Sequence, residues 1–450
     1  MRARVLIIAL ACVIVAAAGI WLATREQKPP NVLLISVDTL RRDHTGFSGY
    51  GRPITPSLDA LASESVVFTN AYSVSGWTFP CMATILTGAY PKVHGATDFH
   101  YMIDSKVPTL ASVLRRNGYD TRAFVSHVGL IPRYGFGTGF VKFDASVLQV
   151  GHPHEVATAD QISNLAIADL EQVKEPFFMW VHYFDPHFKY LPHEDWASLG
   201  DTDLDRYDQE IAFTDREIGR LLAALEERGL SKRTVVIFTS DHGEEFGDHG
   251  GKYHETLYEE IVQVPLTIRV PGRTPGESAV PAEQVDFVPT ILALAGIERP
   301  EGLPGKDLLA TSGGGGAGAP GAPATAAGSA SSAGAICMER DRPPGFRQRG
   351  IIDGDLKVIA VAPSDTNLIP WASRGVYWQA NNVHVGTWMF DLSADPRETR
   401  NLFAGGLAGA HGPRLLAAIA EYTKDEQQRT AEVPMDERLR EQLRALGYLR

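Results

Sequence analysis

The sequence predicts an α/β protein: a mostly parallel or mixed central sheet flanked by helices, followed by a smaller C-terminal α+β subdomain. Three observations carry this. Short apolar runs alternate with helical stretches through most of the chain, the pattern of a parallel sheet covered by helices. Three runs, residues 31–37 (NVLLISV), 177–183 (FFMWVHY) and 234–240 (TVVIFTS), are nearly continuous in apolar side chains, as strands buried on both faces are. The first and third end directly on an acid, Asp38 and Asp241, and the second carries His182 with Asp185 just beyond it. Sites in such sheets lie beyond the carboxyl ends of the strands, so these residues are expected along one edge.

The elements follow in order. Pro29-Pro30 marks the end of an N-terminal helical segment, and residues 66–68 (VVF) form a second short apolar run. A helix over residues 80–86 begins just after Thr78. Residues 109–117 read as a helix closed by Gly118, and 121–125 as a strand. Helical spacing covers 160–173 and 205–228, the latter ending at Gly229. Residues 311–335 are rich in Gly, Ala, Ser and Pro without a charge, the composition of a flexible linker. Beyond them, residues 336–450 hold short strands at 350–353, 357–360 and 388–392 and a helical C-terminal stretch. The chain thus divides into an N-terminal segment (1–28), a principal domain (29–310), the linker and the C-terminal subdomain.

The 450 residues are 44% apolar and 21% charged, a globular composition, with a net charge of −12. No basic block is present, which excludes nucleic-acid binding as the main task. An acidic protein that acts on anions must concentrate positive charge locally, from a metal, Lys, Arg or His. The three cysteines, Cys12, Cys81 and Cys337, exclude a disulfide framework and leave one Cys81–Cys337 pairing open.

Arg2 and Arg4 precede an apolar run over residues 5–23, and Arg25 and Lys28 follow it. About twenty apolar residues span a bilayer as a helix, and the leading arginines favour a cytoplasmic N-terminus. The rest of the chain is then expected outside the cytoplasm, periplasmic or extracellular. The run reads as an uncleaved membrane anchor, being long for the apolar part of a signal peptide. A signal peptide cut after Ala18 or Ala23 is the competing reading, and lipid attachment at Cys12 fits less well.

Asp241-His242-Gly243-Glu244 leaves a buried strand directly, and Asp38 leaves another. Two carboxylates and an imidazole on one sheet edge suit Mg, Mn, Ca or Zn. Thr78 stands at the start of a helix, where free backbone N–H groups make an anion site; the plainer reading is a helix cap.

Eight segments resemble, in order, blocks of the sulfatase family of the alkaline-phosphatase superfamily. They are NVLLISVDTLRRDH, WTFPCMATILTGAYPKVHG, VHYFDPHFKY, FTSDHGEEFGDHG, TLYEEIVQVPLTIRVPG, VDFVPTILALAGI, MFDLSADPRETRNL and LRALGYL. The resemblance implies an alkaline-phosphatase-like fold and a divalent metal, Ca as in sulfatases or Mn, Zn or Mg, on Asp38, Thr78, Asp241 and His242. It implies an anionic ester substrate, a sulfated or phosphorylated glycan, lipid or small molecule. His187 and His254 fall where they would meet the substrate's anionic group or protonate its leaving group. His182, Asp185, Lys252 and His127 are the implied substrate-binding residues, with Asp185 alternatively on a second metal. Asp43, Asp248 and His249 are weaker candidates.

The sequence departs from the family at the nucleophile. Sulfatases carry a Cys there, in a Cys-x-Pro-x-Arg pattern, that is oxidised to formylglycine; this chain has Thr78, with Met82 at the Arg position. Cys81 lacks the pattern, so no formylglycine is expected and Cys81 is expected to be a small packed residue. A formylglycine hydrate releases sulfate by elimination, whereas a Thr ester requires water to attack in line, which adds weight to phosphoester or phosphonate substrates. Thr39 and His242 stand where sulfatases usually carry Asp and Asn, shifting the metal preference from Ca toward Mn or Zn. Transfer of a phospho-headgroup between lipids or glycans is an alternative activity, and a catalytically silent binding protein is an alternative of another class. Asp38, Thr78, Asp241 and His242, all retained, stand against the latter.

Overall fold

The computed structural model describes residues 28–149, 156–310, 335–341, 346–363, 384–424 and 440. The N-terminal apolar run with Cys12, the linker up to residue 334 and the LRALGYL block lie outside the described residues. No helix among the described residues is long and apolar enough to cross a membrane.

In chain order the strands are β1 (Asn31–Val37), β2 (Val66–Phe68), β3 (Ala71–Tyr72), β4 (Asp120–Val125), β5 (Lys142–Asp144), β6 (Phe177–Tyr183) and β7 (Thr234–Ser240). Then come β8 (Leu266–Arg269), β9 (Gly276–Ser278), β10 (Ala282–Glu283), β11 (Ile336–Arg340), β12 (Phe346–Asp353), β13 (Leu356–Pro363) and β14 (Gly386–Asp391). Eight of them form the main sheet in the order β5-β4-β6-β1-β7-β8-β2-β9. β1 runs parallel to both β6 and β7, and β4 runs parallel to β6; β8 is antiparallel to β7 and β2. The mixed, mostly parallel sheet expected from the sequence is therefore present.

Both faces of β1 are covered, which explains its unbroken apolar run. Val32 and Leu34 join Phe178, Trp180, Val235 and Ile237 in one layer, under the helices Thr78–Thr87, Leu110–Arg116 and Phe287–Leu294. Leu33 and Ile35 join Met179, Val181, Val236 and Phe238 in the other, under Pro56–Ser63, Ala159–Asp169 and Asp203–Glu227. The register places Val37 opposite both Tyr183 and Ser240, and Val125 opposite His182. The chain therefore leaves β4, β6, β1 and β7 at one common edge.

The helices read at 109–117 and 205–228 span Leu110–Arg116 and Asp203–Glu227, shifts of one or two residues, and two other helices differ in ways that bear on the site and the core. The helix expected at 80–86 starts on Thr78 itself, with Trp77 as its N-cap. The helix expected to reach residue 173 stops at Asp169, whose carboxylate takes Arg122 and Lys142. Val173 still packs on the apolar layer, which is why the spacing ran on. The C-terminal sheet is antiparallel, β11-β12-β13-β14. One face packs under the helix His411–Thr423, and the other meets Tyr72, Leu257, Ile261 and Val262 of the principal domain. Cys81 and Cys337 are both free thiols, so the pairing left open by the sequence is not made.

Candidate active site

Asp38 and Asp241 emerge side by side from β1 and β7, and both are fully buried. Thr39 takes a left-handed conformation, φ 53°, and its amide donates to Asp241 Oδ1 at 3.1 Å. The His242 amide donates to the same oxygen at 2.8 Å. Asp241 Oδ2 is buried and receives no hydrogen bond. The His242 ring donates from Nδ1 to the Gly243 carbonyl, at 2.8 Å, which leaves the lone pair of the neutral ring on Nε2. That nitrogen lies 3.2 Å from Thr78 Oγ1, 3.4 Å from Asp241 Oδ2 and 3.9 Å from Asp38 Oδ1. Thr78 Oγ1 in turn lies 3.3 and 3.4 Å from the two oxygens of Asp38.

The electrostatics call for a cation. Burial, then the charges of Asp241 and Glu244, push the Asp38 carboxyl well above its ordinary value, and burial pushes Asp241 and Glu244 up as well. Among the described residues no Lys or Arg pairs with Asp38 or Asp241. Burial first, then His254, holds His242 well below the usual range, so its ring is neutral. Ligand atoms of Asp38, Asp241 and His242 all lie within 4.8 Å of one another. Buried carboxylates, an oxygen without a donor and an imidazole lone pair fit a divalent metal.

Four further histidines surround this group. His182 lies on β6 with Nε2 3.7 Å from Asp38 Oδ2. Its Nδ1 meets Ser36 Oγ at 2.9 Å, and Ser36 Oγ accepts from Trp180 Nε1 at 2.9 Å. His127, beyond β4, accepts the Gly129 amide on Nδ1 at 3.0 Å. With Nδ1 accepting, the ring proton sits on Nε2, which is 3.9 Å from Asp38 Oδ2. His187 donates from Nδ1 to the Phe188 carbonyl at 2.7 Å and stacks on Phe184. His254 sets Nδ1 3.1 Å from Glu244 Oε1, with its ring 4.6 Å from His242 and 5.4 Å from His187. Burial pushes His182 and His187 down to about 3.

The structure gives other candidates different work. Both oxygens of Asp185 are taken by Thr158, whose amide donates at 2.6 Å and whose hydroxyl donates at 2.8 Å, at the start of the helix Ala159–Asp169. Asp185 thus ties the start of that helix to the loop after β6. The Lys252 side chain is 60% exposed, and its amine lies 3.9 Å from the exposed Asp203. Asp43 and Asp248 both hold the buried guanidinium of Arg41. His249 points Nδ1 at Glu260 and Nε2 at the Arg397 carbonyl, away from Asp38 and Asp241, and ligand atoms of Glu245, His249 and Glu260 lie within 4.8 Å of one another. Cys81 packs against Val74 and Val285, its thiol donating to the Ser75 carbonyl, and burial pushes it well above its ordinary value.

Two residues of the site went unread in the sequence. Glu244, in the quoted DHGE run, is the partner of His254, a pairing across ten positions that spacing does not disclose. Arg340, on the far side of the linker, reaches the loop before Thr78.

The sulfatase family model matches residues 30–297. The chain belongs to the sulfatase family. An uncharacterized Escherichia coli sulfatase, YidJ, is 30% identical over 359 residues, spanning 63% of this chain and 71% of that protein. Human arylsulfatase A is 27% identical over 467 residues, spanning 90% and 88%. Among solved structures, the phosphonate monoester hydrolase of Agrobacterium radiobacter superposes with a TM-score of 0.67 at 22% identity, covering 87% of this chain and 96% of that one. This sulfatase-family chain is accordingly an ester hydrolase, and the family typically uses a divalent metal.

Proposed function

We propose that Thr78 is the nucleophile of this hydrolase and that its substrates are sulfate or phosphate-type esters, phosphoesters and phosphonates foremost. The single observation that supports this most is the position of Thr78 Oγ1, between Asp38 and His242 Nε2 at 3.2 to 3.4 Å. Asp38, Thr78, Asp241 and His242 would hold the metal. When bound, the metal lowers the pKa of the hydroxyl and neutralises the substrate's anionic oxygens. Asp38 orients the Thr78 hydroxyl and takes its proton as Oγ1 attacks the phosphorus or sulfur, whose bond to the leaving oxygen on the opposite side breaks; the proton returns to Oγ1 when the Thr78 ester opens. The Nε2–H of His127 faces the same chamber as a donor to a non-bridging oxygen. His254, held through Nδ1 by Glu244, protonates the leaving oxygen as an imidazolium and then deprotonates the water that opens the Thr78 ester. His187, beside His254, assists at the same end.

The fold is shared by sulfatases and phosphonate monoester hydrolases, so it does not choose between them; the absence of a Cys at position 78 supports the phosphoryl reading. The deciding experiment is turnover of aryl sulfate, phosphate monoester, phosphodiester and phosphonate by the purified protein with Mn, Zn, Mg or Ca. Phosphoryl or phosphonate turnover exceeding sulfate turnover is expected; sulfate turnover alone would reject the preference. We also infer, from Arg2, Arg4 and the apolar run that follows, a catalytic domain anchored at the membrane and held outside the cytoplasm. Protease accessibility in intact spheroplasts tests it; full protection would reject it.

A further inference from the structure

Gly76 lies in the loop that leads into the Thr78 helix, and it is pressed against the loop that carries His254. A Cβ at Gly76 would stand 2.7 Å from the Thr256 carbonyl oxygen and 3.0 Å from that of His254. The two segments on which the proposed nucleophile and the leaving-group acid sit therefore meet backbone to backbone at one point. The side chain of Arg340 joins them there. Arg340, the last residue of β11 and 3% exposed, donates from Nη1 to the Gly76 carbonyl and from Nη2 to Glu255 Oε2 at 2.8 Å. Glu255 follows His254 directly. The C-terminal sheet reinforces both arms, since the Glu339 amide donates to the Val74 carbonyl at 2.8 Å and Gln348 Nε2 donates to the Glu255 carbonyl at 2.6 Å.

We propose that Arg340 is a positioning residue: the C-terminal subdomain uses it to clip the Thr78 loop to the His254 loop and so fixes the distance between nucleophile and leaving-group acid. An Arg fits this place because its planar fork bonds a carbonyl and a carboxylate at once, at fixed angles; the point charge of Lys does not. The inference rests on the proposed roles of Thr78 and His254 for its catalytic consequence, but its structural part stands alone. Loosening the clip frees the Thr78 loop and the His254 loop from one another while Asp38, Asp241 and His242 stay at their strand ends, so the loss falls most on substrates whose leaving oxygen needs a proton.

The test compares wild type with Arg340→Lys, Arg340→Met and Glu255→Gln, in the full chain. Glu255→Gln removes one charge and keeps the side-chain shape, so it addresses the clip even if an Arg340 variant fails to fold. Hydrogen exchange is read first, on peptides covering 74–78 and 253–256. At least roughly tenfold faster exchange in both segments, with the β1 and β7 peptides unchanged, is expected; unchanged exchange in both overturns the proposal, whether or not the protein turns over any ester. Turnover is read next, on a series of aryl esters of rising leaving-group pKa. A loss that grows with leaving-group pKa supports the clip, and a uniform loss across the series overturns its catalytic part. No turnover in the wild type would count against the proposed function alone, with the exchange result still deciding the clip.

Discussion

Glu244 Oε1 lies 3.1 Å from His254 Nδ1, with both residues buried beside His242. A carboxylate on Nδ1 orients the imidazole and stabilises its protonated form. Glu244→Gln keeps an oxygen in the same place but loses the charge. The expected result is a kcat lower by roughly 10²-fold on alkyl or phenyl esters, the scale of general acid catalysis, with a smaller loss on nitrophenyl esters and metal content unchanged. Steady-state kinetics with elemental analysis checks it, and equal losses on both substrate classes would remove His254 from the acid role.

A second prediction concerns the metal. Asp38 and Asp241 are fully buried, and no Lys or Arg among the described residues pairs with either. A chelator should therefore abolish turnover and lower the Tm, and saturating metal should restore both. An ion present at about a hundred times its Kd contributes about 2.7 kcal/mol to the native state. A Tm indifferent to chelator and to all four of Mn, Zn, Mg and Ca would speak against a resident ion.

Asp185 offers a test in pH. Burial, against the hydrogen bonds from Thr158, raises its carboxyl from 3.8 to about 6. A raised folded pKa means that the stabilisation is complete below the unfolded value near 4 and is lost as pH climbs through about 6. The rise corresponds to about 3 kcal/mol. Asp185→Asn does not titrate, so the unfolding free-energy gap between wild type and variant should shrink from pH 4 to pH 7. Denaturant melts across that range measure the gap, and a constant gap would contradict this account of Asp185.

Cys81 should survive expression as an unmodified thiol. Its side chain is fully buried against Val74 and Val285, and Met82-Ala83 follows it instead of the pattern that directs oxidation. Peptide mass spectrometry decides this, and an aldehyde at Cys81 would overturn it.

The sequence disclosed what buried parallel strands disclose. β1, β6 and β7 read to the residue because both faces are covered and every side chain on them had to suit an interior. Asp38, Asp241 and His242 followed, since they sit where those strands end. β3, β9 and β10, two or three residues long, hold too few side chains to show a period. β11 (ICMER) ends in the charged pair Glu339 and Arg340, which mimics a surface segment until the principal domain buries it. Block position carries no information on side-chain direction: Asp185 turns back to accept from Thr158 at a helix start, and Lys252 turns out beside Asp203. The Glu244–His254 and Arg340–Gly76 contacts are tertiary, and no local spacing encodes them.

The most direct test of the account is turnover by Thr78→Ala on the best wild-type substrate, with metal content measured on the same sample. The hydroxyl is one of four proposed metal contacts but the sole proposed attacking atom, so the account predicts a loss of at least about 10³-fold with metal largely retained. Turnover equal to wild type in metal-loaded Thr78→Ala would contradict it.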